Sequence, residues 1–293
     1  MEIHAIAAAQ AAPAAERSRA TRAMPARLTR IADRRRLAVI PLTGVIGGRL
    51  RAASVTDDLD RVRRDRHVRA VLLDIDSPGG GAIDSEAIFM ATRRLAREKP
   101  VLAYLRGTGA SGAYFIACGA TRILAFPSAI VGSIGVISAR PLLVDALRRV
   151  GAAVLVTKTG PFKDLGAPWR EPTEADRAKE QSLVDAIFRR FSATVAVARH
   201  LDEEALARVT TGEVWLAEEA VELGLVDAVC EPDQALEEGL RLAGGLDRGQ
   251  VRRIEARRSL AHRLGLPGAG MGPPSSRWIA EIEGWLGTPR AFM

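Results

Sequence analysis

The sequence is poor in the residues that hold small secreted domains and metal sites together. It has two cysteines, Cys118 and Cys230, in 293 residues, which excludes a disulfide framework and a four-cysteine zinc site. Its four histidines are scattered along the chain and show none of the spacing of a metal box. We therefore expect no structural metal.

A long apolar run is also missing. The longest uncharged stretch near the N-terminus, residues 3–15, is rich in alanine and shorter than the roughly 20 apolar residues that span a bilayer. It also lacks the basic segment that precedes the apolar core of a secretory signal. We expect a cytoplasmic protein without a transmembrane segment, with peripheral contact at the inner face of the membrane as a further option.

Aromatic residues and lysines are scarce. Aromatics make up 4% of the chain, too few for the stacking platforms of single-strand nucleic-acid binders. The net charge of +7 would suit nucleic acid, but most basic residues alternate with acids along helix-like segments, so we expect no nucleic-acid partner. Only four of the 42 basic residues are lysine, namely Lys99, Lys158, Lys163 and Lys179. A lysine close to other candidate catalytic residues is therefore a stronger signal than it would be in a lysine-rich chain.

Strand and helix patterns alternate along the middle of the chain. Strand patterns lie at 37–46, 70–75, 101–105, 122–125, 134–138 and 152–157, and helical patterns at 54–66, 83–98, 110–118, 141–149, 173–199 and 216–224. This alternation predicts an α/β fold with a mostly parallel sheet, followed by a helical C-terminal part.

Composition predicts three regions along the chain. Residues 1–36 form an Ala- and Arg-rich extension, 37–235 form the main domain, and 236–293 form a C-terminal extension. The extension contains a Gly/Pro-rich linker at 265–276 and an amphipathic docking helix at 277–286.

Three glycine-rich corners follow predicted strands, at 77–81, 107–112 and 132–135. The second fits the letters G-x-G-x-x-G of a dinucleotide site. Such a site also needs an acid about 20 residues further on, and residues 125–135 contain none. The sequence therefore gives little support to a nucleotide site.

Ser111 stands at the predicted start of a helix, where backbone N–H groups lack partners. It suits a simple N-cap, or a nucleophile whose oxyanion hole uses the N–H groups of Gly80 and Gly112. A nucleophilic serine needs a base. No histidine is well placed, but a lysine serves when burial keeps its amine neutral. Lys163 lies on an irregular apolar loop, where an ion pair with Asp164 is the alternative explanation. Spacing alone does not decide.

Five segments in the same order resemble the signal peptide peptidase A family. They are DSPGGG at 76–81, ASGAYFIACGA at 110–120, GSIGVI at 132–137, FKDLGAPWREPTEADR at 162–177 and TGEVWLAEEAVELGLVDAV at 211–229. The resemblance covers roughly residues 37–230. It implies a ClpP/crotonase-like fold, a spiral of ββα units with a mostly parallel sheet, and a bacterial serine peptidase with a Ser/Lys dyad.

The resemblance also implies a role for each matching residue. Ser111 falls on the nucleophile, Lys163 on the general base, and Ser133 on the serine that holds this lysine. Gly80 and Gly112 fall on the oxyanion donors. Arginine cannot be deprotonated and could not replace Lys163 as a base. No metal or organic cofactor is implied.

The expected activity is hydrolysis of peptide bonds through an acyl-enzyme, on signal-peptide remnants or other apolar peptides. The family resemblance implies a closed homo-oligomer, with an octamer favoured, in which parts of one subunit border its neighbour's site. The chain departs from the family in lacking an N-terminal membrane segment and in carrying Ala113 where a second glycine is common. Two alternatives stay open: a crotonase-type acyl-CoA enzyme, which needs neither Ser111 nor Lys163, and a non-catalytic scaffold that keeps the fold.

Overall fold

The computed structural model describes residues 34–254 and 291–292. Its strands are β1 (Arg36–Thr43), β2 (Val68–Ser77), β3 (Val101–Ala110), β4 (Arg122–Ala125), β5 (Ile130–Gly132), β6 (Ile137–Ser138), β7 (Val214–Leu216), β8 (Ala228–Val229), β9 (Val251–Arg253) and β10 (Ala291–Phe292). Its α-helices are α1 (Ala52–Arg64), α2 (Ala82–Ala96), α3 (Gly112–Ala117), α4 (Val144–Arg149), α5 (Glu174–Arg199), α6 (Glu203–Val209), α7 (Ala217–Glu222) and α8 (Pro232–Leu242). A short 3₁₀ helix covers Arg248–Gln250.

One sheet of eight strands organises this region. Its order is β7-β5-β3-β2-β1-β9, and β4 and then β8 branch from β3. Strand β3 serves two partners on one side, because residues 102–105 pair with β4 and residues 108–110 pair with β5. Every pair is parallel except β5 with β7. The predicted α/β fold with a mostly parallel sheet is confirmed, and it is consistent with a ClpP/crotonase-like architecture.

The sheet is covered on both faces, as its near-continuous apolar strands require. In β1, Ala38 and Ile40 belong to the larger core, which α1, α2 and α3 complete. The alternate residues Leu37 and Val39 belong to a second core, which includes Leu240 of α8. This alternation follows from the two-residue side-chain period of a strand.

Most predicted elements agree with the structure, but two strand predictions do not. The strand predicted at 134–138 is present only as β6, since residues 133–136 form no strand. The strand predicted at 152–157 is wrong, because these residues form no strand and lie exposed. The run has the composition of a strand but pairs with no strand among the described residues. Residues 236–254 continue into the fold, since α8 packs on the sheet and β9 pairs with β1. The predicted linker at 265–276 and helix at 277–286 lie outside the described residues.

In residues 34–254 and 291–292, no helix combines the length and the apolar character needed to cross a membrane.

A separate two-stranded antiparallel sheet joins β10 to β6, with Ala291 opposite Ser138 and Phe292 opposite Ile137. A segment close to the chain's C-terminus therefore pairs with the strand that follows Ser133.

Candidate active site

The corners singled out in the sequence meet at one edge of the sheet. Gly80 follows β2, Ser111 follows β3 and Ser133 follows β5. These three strands are parallel neighbours in the order β5-β3-β2, so their carboxyl ends open onto the same edge. This edge is where open α/β sheets bind their ligands.

Ser111 has an unusual backbone conformation. Its φ is 54° and its ψ is −125°, a combination that non-glycine residues avoid and that stores strain. Its N–H donates to the Gly132 carbonyl at 2.7 Å, and its carbonyl accepts from the Phe115 N–H at 2.9 Å. Ser111 occupies the N-cap position of α3, yet its hydroxyl makes no capping hydrogen bond. A capping role therefore does not account for this serine.

Helix α3 fixes Ser111 from behind. All six of its residues are buried, and Phe115 packs with Phe89 at a ring-centroid distance of 4.6 Å and with Phe191 at 5.2 Å. Cys118, which ends this helix, is buried, and burial raises the pKa of its thiol to about 12. The thiol therefore stays protonated at neutral pH, which makes Cys118 unreactive.

Gly80 is held against the chain that follows β1. The Ile46 N–H donates to the Gly79 carbonyl at 2.8 Å, and the Gly81 N–H donates to the Ile46 carbonyl at 3.0 Å. In this parallel pairing, the N–H of Gly80 points to the side away from Ile46. The φ of Gly80 is +152°, and a Cβ atom here would lie 2.1 Å from the Ile46 carbonyl oxygen. Only glycine fits this position.

Gly112 lies beside Gly80. A Cβ atom on Gly112 would lie 3.5 Å from the Gly80 nitrogen and 2.2 Å from Oγ of Ser85. Gly112 is the first residue of α3, so its N–H has no acceptor within the helix. Two backbone N–H groups on neighbouring segments therefore flank the nucleophile candidate.

Ser133 also has a strained backbone, with a φ of 51°. Its N–H donates to the Glu213 carbonyl at 2.6 Å, which ties it to the segment before β7. The preceding Gly132 has a φ of +108°, and a Cβ atom there would meet the Trp215 ring at 2.6 Å. These contacts fix Ser133 at the sheet edge next to Ser111.

Among the described residues, Lys163 forms no hydrogen bond with Ser111 within the single chain. It is exposed, and its backbone N–H closes a turn on the Gly160 carbonyl at 3.2 Å. Its amine forms no hydrogen bond or ion pair with any described residue. The alternative partner, Asp164, binds Lys158 at 2.7 Å and Arg170 at 2.8 Å instead. The ion pair considered from the sequence is therefore not formed by Lys163.

The Asp164 carboxylate is strongly stabilised in its charged form. Hydrogen bonds from Arg170 and then Lys158 hold its pKa well below the usual range. The pKa of Asp176 is lowered in the same way, first by Arg170 and then by the backbone of Thr173. The turn that carries Lys163 is therefore flanked by permanently charged groups at neutral pH.

Comparison with known proteins identifies the family of this chain. Residues 93–244 match the model of peptidase family S49, which is more than half of the chain. The chain belongs to peptidase family S49. The matched range contains Ser111, Gly112, Ser133 and Lys163, and the resemblance to the signal peptide peptidase A family is confirmed.

Individual S49 relatives extend the match beyond this range. A candidate protease of Methanocaldococcus jannaschii is 35% identical over 185 residues, which cover 63% of this chain and 60% of that protein. A candidate protease of Synechocystis sp. is 34% identical over 232 residues, 79% of this chain and 83% of that protein. A candidate signal peptide peptidase of Enterococcus faecium is 32% identical over 180 residues, 61% of this chain and 52% of that protein.

Sequence reasoning missed three residues that shape this S49 site. Ile46 holds the Gly80 corner through backbone hydrogen bonds to Gly79 and Gly81, and Ser85 fills the space where a Cβ atom on Gly112 would lie. Arg170 joins Asp164 to Asp176. Arg170 lies inside the matching segment FKDLGAPWREPTEADR and could have been noticed there. The other two are ordinary residues whose roles depend on tertiary contacts.

Proposed function

We propose that this S49 chain is a serine endopeptidase that works through a Ser/Lys dyad. The observation that carries the proposal is the strained Ser111, whose hydroxyl caps no helix, beside the backbone N–H groups of Gly80 and Gly112. Strained residues persist where the surrounding structure enforces them, and they cluster at active sites. Ser111 is held in its strained conformation by the buried helix α3 on one side and by a glycine-rich corner on the other.

In the proposed mechanism Ser111 attacks the peptide carbonyl carbon. Neutral Lys163 accepts the hydroxyl proton as the new C–O bond forms. The N–H groups of Gly80 and Gly112 stabilise the negative oxygen of the tetrahedral intermediate. Lys163 then donates this proton to the leaving amine as the C–N bond breaks, and later activates the water that hydrolyses the ester. Ser133 holds the lysine amine in place.

This mechanism needs the Lys163 amine to contact the hydroxyl of a Ser111, and the described residues of one chain show no hydrogen bond between the two. We propose that assembly into a closed homo-oligomer, with an octamer favoured, completes the site. Of residues 139–173 only Pro168 is buried. The same region exposes a set of large apolar side chains, namely Leu142, Val150, Val154, Leu155, Val156 and Phe162. An apolar surface of this kind is typical of a protein–protein contact.

The proposed substrates are extended apolar peptides, including signal-peptide remnants. They would bind as an added β-strand, a mode in which backbone hydrogen bonds supply affinity and alternate side chains supply specificity. The strand β6 already accepts a short antiparallel partner, β10, close to Ser133. Exposed Ile137 in β6 and Val214 in β7 give this edge apolar side chains.

Peripheral contact with an acidic membrane surface at the cytoplasmic face is also part of the proposal. Exposed arginines without an acidic partner among the described residues cluster where α1 and α2 end, at Arg64, Arg66, Arg93, Arg94 and Arg97. The C-terminal ends of these helices are adjacent, since Arg63 pairs with Glu98 at 2.9 Å. Basic groups near an anionic surface each contribute about 1 kcal/mol of attraction.

A peptide-cleavage assay tests the proposed function. The full chain, purified as the assembly it forms, is incubated with a library of apolar peptides, and the products are identified by mass spectrometry. We expect cleavage by the unmodified chain and by Ser182→Ala, which removes an exposed serine of α5, but none by Ser111→Ala. Equal cleavage by Ser111→Ala would contradict the proposal.

A further inference from the structure

A network of charged side chains connects the turn that carries Lys163 to helix α5. Asp164 directly follows Lys163 and accepts hydrogen bonds from Nε of Arg170 at 2.9 Å and from Nη2 at 2.8 Å. The same guanidinium donates through Nη1 to Oδ2 of Asp176 at 2.5 Å. One arginine thus bridges two carboxylates.

The two carboxylates are well shielded from water. The side chain of Asp164 is 7% exposed and that of Asp176 is 3% exposed, against 25% for Arg170. Charge-assisted bonds in such surroundings are stronger and more directional than those on an open surface. The network therefore constrains geometry as well as charge.

Asp176 gives the network a rigid end. It lies in the first turn of α5, where its N–H donates to Oγ1 of Thr173 at 3.1 Å and its carboxylate accepts from the Thr173 N–H at 2.9 Å. Further along α5, Phe191 and Val195 are buried in the main core. The first turn is therefore continuous with a helix that is anchored in the fold.

Lys158 cannot provide the same link. Its amine also binds Asp164, at 2.7 Å, and it further donates to the Pro161 carbonyl at 3.0 Å. Both partners belong to the exposed segment that contains Lys163. Lys158 thus stabilises the turn internally, whereas Arg170 alone, among the described residues, ties Asp164 to α5.

We propose that Arg170 is a positioning residue for the peptidase reaction, because it fixes the backbone next to Lys163 and so the direction in which the lysine amine projects. This inference rests on the proposed Ser/Lys function. The guanidinium is engaged by carboxylates on both of its sides, so it acts through Lys163 rather than on the substrate. Its planar group, with donors on two edges, matches this bridging geometry, which an ammonium group cannot reproduce.

The test separates turnover from substrate binding. Arg170→Gln removes both ion pairs, and we expect kcat to fall about 10- to 100-fold, since small misplacements of a reacting group have effects of this size. KM should change by less than about threefold, because Arg170 does not face the peptide. Arg122→Gln is the matched control: it removes an ion pair of 2.8 Å with Glu238 on the opposite side of the sheet, and its kcat should stay at the unmodified value.

A conservative variant tests whether part of the lost kcat can be recovered. Arg170→Lys keeps the charge but not the two-sided geometry, so its kcat should lie between those of Arg170→Gln and the unmodified chain. Thermal unfolding of each variant reports the fraction folded at the assay temperature. If Arg170→Gln does not fold, the reduced kcat of folded Arg170→Lys at unchanged KM still supports the proposal.

Two results would overturn the positioning role. One is a kcat for Arg170→Gln within twofold of the unmodified chain. The other is a loss of activity in either variant that only matches the loss of folded protein. Failure of the underlying function looks different, because then the unmodified chain is inactive or Ser111→Ala retains its activity.

Discussion

The Gly80 nitrogen lies 3.5 Å from the point that a Cβ atom on Gly112 would occupy. Because Gly112 begins the helix that follows Ser111, this proximity brings backbone nitrogens from two separate segments close to the same serine. The same closeness makes both glycines sensitive to a single added methyl group.

Substitution of Gly112 by alanine tests this packing. In Gly112→Ala the new Cβ meets Oγ of Ser85 at 2.2 Å, and overpacking of this kind lowers the free energy of unfolding by about 1–3 kcal/mol. We expect a lower thermal midpoint and a lower kcat. Adding Ser85→Ala should recover part of both, since it removes the closest atom. Gly249→Ala is the control, because nothing lies within 4 Å of its Cβ position.

Substitution of Gly80 should be more damaging and not rescued by any side-chain change. The Cβ of Gly80→Ala would lie 2.1 Å from the Ile46 carbonyl oxygen, a backbone atom that cannot rotate away. We expect turnover to fall by at least about 100-fold, as for loss of an oxyanion donor. Normal turnover in folded Gly80→Ala would contradict the requirement for glycine at this corner of the site.

Lys163, the proposed base, and Ser133, which is proposed to position it, should differ in the size of their effects on turnover. Lys163→Arg keeps the positive charge but cannot supply a neutral base, so turnover should fall by about 100-fold or more with the thermal midpoint unchanged. In the proposed assembled site, Ser133→Ala removes one hydrogen bond to the lysine, worth about 0.5–1.5 kcal/mol, and turnover should fall about three- to tenfold. Lys163→Arg retaining more than about a tenth of normal turnover would mean that another group is the base.

The charged network beside Lys163 predicts a loss of stability in acid. The folded-state pKa of Asp164 and that of Asp176 are lowered by Arg170, below the value of about 3.9 of an unfolded aspartate. Their contribution to stability is therefore present above pH ~4 and lost as the pH falls further. Asp164→Asn should have a lower thermal midpoint than the unmodified chain at pH 7, and the difference should narrow at pH 3.

Asp57→Asn is the control for this pH series. Asp57 is exposed and has no ion pair among the described residues, so its midpoint should follow that of the unmodified chain throughout. A constant gap between Asp164→Asn and the unmodified chain from pH 7 to pH 3 would show that the ionised carboxylate is not what stabilises the turn.

A charged substitution in the exposed apolar segment should prevent assembly. Leu155 is 97% exposed, so Leu155→Arg should leave the thermal unfolding of the single chain intact. Light scattering should show the assembly replaced by a species near 31.4 kDa, and peptide cleavage should be lost with it. Ala53→Arg, on the exposed side of α1, should keep both. An unmodified chain that is active as a single 31.4 kDa species would contradict the assembly.

The sequence predicted the sheet and the position of Ser111 because both depend on local patterns. The apolar run AVLLDI suits a strand covered on both faces, and the structure buries it between two cores. The glycine-rich corners predicted places where two backbone segments pass close together, and Gly80 lies against Ile46 in this way. Local composition and turn chemistry were sufficient for these features.

The surroundings of Lys163 could not be predicted in the same way. Residues 152–157 have the composition of a strand but remain unpaired, because pairing depends on which edge is free in the folded chain. The sequence offered Asp164 as a partner for Lys163, whereas Arg170 and Lys158 take it. A residue that is adjacent in sequence competes for an ion pair with residues that the fold brings close. Only the three-dimensional structure shows which pair forms.

Covalent labelling of Ser111 is the most direct measurement of the central proposal. The assembled chain is incubated with a fluorophosphonate, which reacts with activated serine hydroxyls, and the modified residue is located by peptide mass spectrometry. The account predicts one adduct, on Ser111, which is strongly reduced in Lys163→Arg and unaffected in Arg122→Gln. An adduct on another serine with Ser111 unmodified, or no adduct on a chain that cleaves peptides, would contradict it.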